Sequence, residues 1–268
     1  MSHHRAGRAL RFVRWTRLLA HVAAALFILR FVFPRASFER RRHLHGWWSR
    51  KLVRIVGIDM QVEGVTSSMA GHGVMVAANH VSWLDVFCVS SVWPTRFIAK
   101  SEVRDWPVAG WIAERAGTLF VRRARRRDTA RINEIVHGAL AQGDCVGLFP
   151  EGTTTPGDRL LKFHSSLFEP AVANDVRVQP IAIRYEHADG SLCRAVVYDD
   201  LSFMQSLSLM LRQRNVVARL TFLETLPASG LTRREVARVA EARIATRLGL
   251  PSPSSEPRTP AGLPGEPR

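Results

Sequence analysis

Between residues 46 and 248 the chain alternates short apolar runs with longer amphipathic stretches. The short runs have the length and the content of branched and aromatic residues that strands prefer: Val74–Ala78, Phe97–Ala99, Thr118–Val121, Cys145–Phe149, Val176–Ile183, Ala195–Tyr198 and Val216–Leu223. The stretches between them have helical character: Trp106–Arg115, Asp128–Ala141, Ser165–Ala173, Phe203–Arg212 and Thr232–Leu248. Asp128 and Thr232 are predicted N-caps. This alternation predicts one α/β domain over residues 46–248, with a mostly parallel or mixed sheet flanked by helices.

The two ends of the chain do not follow this alternation. In residues 1–45 arginines recur at every third position, which places them on one broad side of a helix: Arg5, Arg8, Arg11, Arg14 and Arg17. The apolar run Leu18–Phe33 follows, interrupted by His21 and Arg30. Residues 249–268 contain six prolines among Ser, Gly and Glu. That composition cannot form a core, so we predict a disordered tail.

Residues 1–45 are predicted to form a helical segment that docks on a membrane. The apolar run is shorter than the roughly 20 residues of a full span, and both of its flanks are basic, so charge indicates no orientation. The pattern favours a helical hairpin or a re-entrant segment that enters one leaflet, with its arginines on lipid phosphates. A single span and an apolar helix that covers the core are the open alternatives. Phe-Pro-Arg after Val32 does not resemble a signal-peptide cleavage site.

Net charge adds a preference for anionic partners. The chain has 38 basic and 23 acidic residues, a balance of +15, and all but three of the basic residues are Arg. Such a surface favours nucleic acid, anionic lipid, phosphorylated substrates or an acidic carrier. The three cysteines are scattered and form no CxxC, which argues against a disulfide framework or a zinc site.

Reactive side chains follow two of the predicted strands. His80 comes just after the strand that ends at Ala78, and Asp85 lies five residues further on. A carboxylate that accepts the Nδ1–H of an imidazole leaves Nε2 to take a proton from a hydroxyl. The alternative interpretation is a structural His–Asp pair.

The second group forms a short loop after the strand that ends at Phe149. Pro150 and Gly152 favour a turn, while Glu151 and Thr153 could hold a substrate hydroxyl, a phosphate or a developing oxyanion. A polar turn closed by its own threonines is the alternative.

Two further strand ends carry cations, and one strand contains a proline. Arg122 and Lys100 are candidate phosphate ligands, because a guanidinium fork matches phosphate geometry. Pro180 within an apolar run predicts an edge strand or a bulge that opens one wall of a cleft.

Four segments, in this order, resemble the sequence motifs of the 1-acylglycerol-3-phosphate O-acyltransferase family within the glycerolipid acyltransferase superfamily. NHVSWLD from Asn79 resembles the first motif, NHxxxxD. GTLFVRR from Gly117, FPEGTTT from Phe149 and VQPIAI from Val178 resemble the second, third and fourth. The similarity covers roughly Trp47 to Leu226, and the lyso-ornithine lipid acyltransferases are close relatives of this family.

The resemblance implies roles for these residues. His80 would be the general base and Asp85 its orienting carboxylate, while Pro180 would lie near the acyl donor. The substrate-binding residues would be Lys100, Arg122, Glu151, Gly152 and Thr153. The resemblance also implies an α/β fold that docks on the membrane through an N-terminal pair of helices.

The predicted reaction moves a fatty acyl group from acyl-CoA or acyl-carrier protein to the free hydroxyl of lysophosphatidic acid, giving phosphatidic acid for phospholipid biosynthesis. We expect no metal and no cofactor other than the acyl donor. The expected partners are the lipid acceptor, the acyl donor and the cytoplasmic face of the inner membrane, with no nucleic acid. Many family members have Arg after the EGT of the third motif, where this chain has Thr154. That departure leaves room for another acceptor, such as lyso-ornithine lipid.

Three other functions remain as alternatives. A basic nucleic-acid-binding module would explain the charge, although no recognised motif for one is present. A catalytically silent protein of the membrane surface would explain the N-terminal segment. A thioesterase would use water in place of the lipid alcohol.

Overall fold

The structure, a computed structural model, describes residues 5–64, 73–121, 126–198 and 201–254, and for residues 121 and 126–132 the backbone alone. The strands within these ranges are β1 (Ile58–Gly64), β2 (Val74–Ala78), β3 (Arg96–Lys100), β4 (Leu119–Val121), β5 (Cys145–Leu148), β6 (Arg177–His187), β7 (Val216–Phe222) and β8 (Leu226–Pro227). The α-helices are α1 (Arg8–Phe27), α2 (Phe38–Val56), α3 (Leu84–Val92), α4 (Ala109–Arg115), α5 (Arg126–Ala141), α6 (Glu169–Ala173), α7 (Phe203–Leu211) and α8 (Arg233–Leu248).

The strands form one sheet in the order β1-β7-β6-β2-β5-β3-β4, with β8 paired to β6. The five strands from β6 to β4 are parallel to their neighbours, whereas β7 and β8 run antiparallel to β6. The prediction of a mostly parallel, mixed sheet is therefore confirmed.

Helices cover both faces of this sheet. Successive residues of β2 alternate between two cores, since Val76 packs towards α2, α3 and α7, while Met75 packs towards α5, α6 and α8. All five residues of β2 are buried, as expected for a strand with helices on both sides. Capping boxes at Ser202 and Thr232 begin α7 and α8, so the predicted N-cap Thr232 is confirmed. Helix α5 begins at Arg126, so the predicted N-cap at Asp128 is wrong.

Two strand predictions differ from the structure. Ala195–Tyr198 is not a strand, because residues 194–196 form a 3-10 turn that buries Val196. The edge position predicted from Pro180 is also wrong, since β6 lies between β2 and β7. The sheet accommodates Pro180 because the partner of β6 changes there: β8 ends its pairing at Val178 and β7 begins at Ile181.

The N-terminal residues form a helical hairpin, as predicted. Helix α1 continues through a π turn and a 3-10 turn to Arg35, and α2 begins after the cap Ser37. The stretch Arg8–Arg35 spans 28 residues and is, by length and composition only, long and apolar enough to cross a membrane. The helix is longer than the apolar run Leu18–Phe33 because it extends beyond that run at both ends, so a single span and a re-entrant hairpin both stay predictions. Residues 255–268 of the predicted tail lie outside the described residues.

Contacts between side chains fasten the hairpin to itself and to the sheet domain. His21 is buried against Trp48: the rings stack at 4.6 Å, and Trp48 Nε1–H donates to the carbonyl of His21. Arg50 donates to the carbonyl of Ser91 at the end of α3. Arg14 donates to the carbonyls of Leu211 and Gln213, at the C-terminal end of α7.

Candidate active site

The predicted site residues follow strands whose carboxyl ends meet at one edge of the sheet. His80 follows β2, Glu151 follows the neighbouring β5, and Lys100 ends β3. The carboxyl-end edge of parallel strands is where α/β proteins place their ligands. The fold therefore brings these residues to the edge where a substrate would bind.

Asp85 lies in the first turn of α3 and reaches back over the turn that follows β2. Its Oδ2 lies 2.7 Å from His80 Nδ1 and accepts the backbone N–H groups of Val81 and Ser82 at 2.7 and 2.9 Å. Its Oδ1 accepts the phenol O–H of Tyr185 at 2.7 Å. The three other donors around this buried group show that its oxygens act as acceptors. His80 Nδ1, at hydrogen-bond distance from Oδ2, must therefore be a donor and carry a proton. The lone pair of the ring is then on Nε2, the tautomer that a general base needs.

The rest of His80 is fixed by the loop after β5. The His80 N–H donates to Glu151 Oε1 at 2.7 Å, and its carbonyl accepts the N–H of Thr155 at 2.8 Å. The imidazole lies flat on Phe149, with ring centroids 3.9 Å apart, and Phe149 stacks on Phe97. The described residues leave Nε2 without a hydrogen-bond partner, and the side chain stays 20% exposed. One ring nitrogen thus remains available to a substrate.

Strand β6 contributes two groups that the sequence analysis missed. It runs past the end of β2, where the side-chain amide of Asn79 exchanges two hydrogen bonds with the backbone of Ile183. Two residues further on, Tyr185 reaches Asp85. Burial, and then the charge of Asp85, raise the pKa of Tyr185 well above its ordinary value, so the phenol stays protonated and donates. Tyr185 therefore holds the carboxylate that orients the imidazole.

Glu151 is buried beneath the loop it belongs to. Its side chain is 3% exposed, and its Oε2 accepts the N–H of Leu161 at 2.9 Å, while Oε1 accepts that of His80. Burial raises the pKa of Glu151 to about 7. The carboxyl group thus ties the two loops together, and its predicted contact with the acceptor stays a prediction.

Glu151 should make stability depend on pH. Between about pH 4.5 and 7 the folded protein holds this proton and the unfolded chain does not, so the free energy of unfolding should fall as the pH rises. A shift of this size corresponds to about 3 kcal/mol. We expect Glu151→Gln to flatten that fall in chemical denaturation measured across the window. The exposed Glu224→Gln is the control, and a Glu151→Gln protein with the wild-type slope would contradict the assignment.

The other predicted site residues lie in the loop after β5, at the end of β3 or outside the described residues. Gly152 has φ of +80°, which favours glycine, and Thr153 beside it is exposed. Lys100 is exposed at the end of β3, two strands away from β2. Arg122 lies outside the described residues, although Val121 before it pairs with Lys100. In the described parts of the chain, no three His, Cys, Asp or Glu side chains cluster as metal ligands do.

Comparison with known proteins identifies the chain as a relative of acyltransferases. Residues 59–184 match the family model described as Acyltransferase. The chain is 37% identical over 244 residues to a lyso-ornithine lipid O-acyltransferase of Pseudomonas aeruginosa, covering 89% of this chain and 92% of that protein. It is 40% identical over 152 residues to a 1-acyl-sn-glycerol-3-phosphate acyltransferase of Neisseria meningitidis, covering 57% of this chain and 60% of that protein.

The fold also matches a solved structure. The crystal structure of the 1-acyl-sn-glycerophosphate acyltransferase of Thermotoga maritima superimposes with a TM-score of 0.69, covering 90% of this chain and 94% of that one. At 19% identity this likeness supports the fold alone. The relatives of higher identity carry the assignment: the chain is an acyltransferase and belongs to the family that includes these lyso-ornithine lipid and 1-acyl-sn-glycerol-3-phosphate acyltransferases.

Proposed function

We propose that this enzyme acylates the free hydroxyl of a lysolipid, with His80 as general base and Asp85 as its orienting partner. His80 Nε2 takes the hydroxyl proton while the oxygen attacks the carbonyl carbon of an acyl thioester. The tetrahedral intermediate then collapses, the carbon–sulfur bond breaks, and the imidazolium returns its proton to the leaving thiolate. The products are an ester and a free thiol.

One observation carries this proposal: every polar group of His80 except Nε2 is held by another residue. Nδ1 is fixed by Asp85, and the backbone N–H and C=O by Glu151 and Thr155. A purely structural histidine would gain no stability from a partly exposed ring whose Nε2 makes no hydrogen bond. Positioning of this kind supplies much of the acceleration when the thioester is already activated.

The geometry supports a positioning role for Glu151 in this reaction. Both of its oxygens are used by backbone N–H groups, one of them that of His80 itself. We assign the acceptor contacts instead to the exposed side chains of Lys100 and Thr153, together with Arg122 from the second motif.

For the acceptor we favour lyso-ornithine lipid, with lysophosphatidic acid as the second candidate. The Pseudomonas relative matches almost end to end, whereas the Neisseria relative matches over little more than half of the chain. Position 154 carries no cation for a phosphate monoester; Thr154 donates its hydroxyl to the carbonyl of Tyr198. The 40% identity over the Neisseria match is the observation that favours lysophosphatidic acid.

The acyl donor is proposed to be acyl-CoA or acyl-carrier protein. The net charge of +15 favours both, because CoA carries phosphates and the carrier is acidic. The same charge and the apolar helix Arg8–Arg35 support docking on a membrane surface, which we propose to be the cytoplasmic face of the inner membrane.

A side-by-side product assay tests the acceptor. Purified protein with labelled acyl-CoA should acylate lyso-ornithine lipid with the higher kcat/KM, and Thr154→Arg should raise relative use of lysophosphatidic acid about tenfold by adding a fork for its phosphate. Thr154→Gln also loses the bond to Tyr198 but adds no charge, and it serves as the control. An unchanged ratio in Thr154→Arg would contradict the role of position 154, and release of fatty acid alone would indicate a thioesterase.

A further inference from the structure

A cationic cavity lies away from the reaction site, between the first turns of α1 and the C-terminal end of α7. Its volume is about 200 Å³, which is room for a phosphate group and its ester oxygens. It shares no residue with the site around His80. The residues that line it are Arg8, Arg11, Trp15, Ser208, Leu211 and Arg212.

The positive charge of this cavity is not neutralised by the described residues. Three of its six lining residues are arginines and none is acidic. Among the described parts of the chain, no carboxylate forms an ion pair with Arg8, Arg11 or Arg212. Burial, and then the charge of Arg214, lower the pKa of the adjacent Arg14. Clustered guanidinium groups without a counter-charge indicate an anion site.

One donor in the cavity wall lacks an acceptor. The Nε–H of Arg11 is buried, and no described residue accepts a hydrogen bond from it. A buried donor without a partner costs free energy, and an anion with several oxygens would remove that cost. Ser208 on the facing helix adds a hydroxyl donor. The cavity therefore offers the guanidinium group of Arg11, those of Arg8 and Arg212, and the hydroxyl of Ser208. Such donors are the ones that bind phosphate.

The rest of α1 indicates the source of that phosphate. Phe12 and Leu19 on this helix are 70% and 65% exposed. Of the thirteen large apolar side chains exposed among the described residues, nine lie between Leu10 and Trp47. From Leu18 to Leu29 the helix carries no Arg, Lys, Asp or Glu. A helix with a basic first half and an apolar second half places its basic end at the level of lipid headgroups.

We propose that the cavity between α1 and α7 binds the phosphodiester of an anionic phospholipid of the surrounding leaflet, a lipid that the enzyme does not consume. Binding there would hold the first turns of α1 at the headgroup layer. The site is separate from the proposed reaction site, because none of the residues that line it belongs to the group that holds His80.

Vesicle binding tests the proposal without measuring acyl transfer. The full-length protein is titrated with phosphatidylcholine vesicles with and without phosphatidylglycerol. The triple variant Arg8→Gln/Arg11→Gln/Arg212→Gln is compared with Arg17→Gln/Arg40→Gln/Arg54→Gln, which removes the same charge from exposed positions outside the cavity. We expect the cavity variant to lose about tenfold more affinity for phosphatidylglycerol vesicles than the control. Equal losses would overturn the proposal in favour of diffuse attraction.

Two single variants keep the test valid if a triple variant unfolds. Arg11→Lys retains the charge but loses Nε, and Ser208→Leu fills the cavity without changing charge; each should weaken vesicle binding about fivefold. Acyl transfer to a substrate dissolved in detergent micelles should stay at the wild-type rate in both. Inorganic phosphate distinguishes a lipid phosphodiester from a soluble anion. If phosphate raises the Tm of the wild type but not of the cavity variants, and the variants bind vesicles like the wild type, the cavity binds a soluble anion and the lipid assignment is overturned.

Discussion

Replacing His80 with alanine is expected to lower kcat for acyl transfer by about 10²–10⁴-fold, the usual cost of losing a general base. The loss should fall on kcat, because the imidazole acts on the hydroxyl proton in the transition state and adds little to ground-state binding. Product formation from acyl-CoA and each candidate lysolipid measures it. Imidazole added to the medium should restore part of the activity, since the variant leaves a space beside Phe149 where the ring stood.

The fold of His80→Ala should survive, because Asp85 keeps three of its four donors. Thermal unfolding and vesicle binding should stay close to wild type. His164→Ala is the matched control, because the His164 side chain is exposed. Its backbone N–H donates to the carbonyl of Pro150, so it contacts the same loop that holds His80. A folded His80→Ala protein with near-normal turnover would refute the mechanism.

Asp85→Asn is expected to have the second largest effect, about 10²–10⁴-fold in kcat with a loss of about 3 kcal/mol in the free energy of unfolding. The buried carboxylate accepts four hydrogen bonds and donates none. An amide must turn its NH₂ group towards some of those donors, so it leaves buried N–H groups unsatisfied. It also favours the wrong tautomer of His80, with the lone pair on Nδ1.

Tyr185→Phe separates the electrostatic part of that effect from unfolding. It removes one donor to Asp85 and keeps the packing of the ring, so the protein should fold while kcat falls and its pH profile shifts. The exposed Asp59→Asn on β1 serves as a charge control. Wild-type kcat in folded Asp85→Asn, or an unmoved pH profile in Tyr185→Phe, would show that the carboxylate does not tune the imidazole.

The local part of this site could be predicted from the sequence. The turn after β2 brings His80 and Asp85 together because five residues are enough to reach the first turn of the next helix. Apolar runs buried on both faces, such as β2, are equally readable, since every position is apolar. The helix α8 could be placed to within a residue because Thr232 and Gly249 mark its two ends.

The remaining parts depend on pairing between distant segments. Tyr185 is 100 residues from Asp85, and only the overrun of β6 past β2 brings the two together. Strand β1 was missed because its apolar residues alternate with Asp59, Gln61 and Glu63 and so form no continuous apolar run; its pairing with β7 holds it in the sheet. The burial of Glu151 is likewise a consequence of the loop ending at Leu161 folding back over it. No spacing rule encodes such contacts.

The fastening of the hairpin sets a geometric limit on what the enzyme can reach. The stacked rings of His21 and Trp48 join the two helices. Arg14 and Arg50 join the hairpin to α7 and α3 through hydrogen bonds to backbone carbonyls. These contacts hold the hairpin in one orientation relative to the sheet domain. If the hairpin enters the leaflet, its attachment to the domain fixes the distance between the His80 imidazole and the membrane surface. Lipids would then be sorted by how deep their hydroxyl lies as well as by what surrounds it.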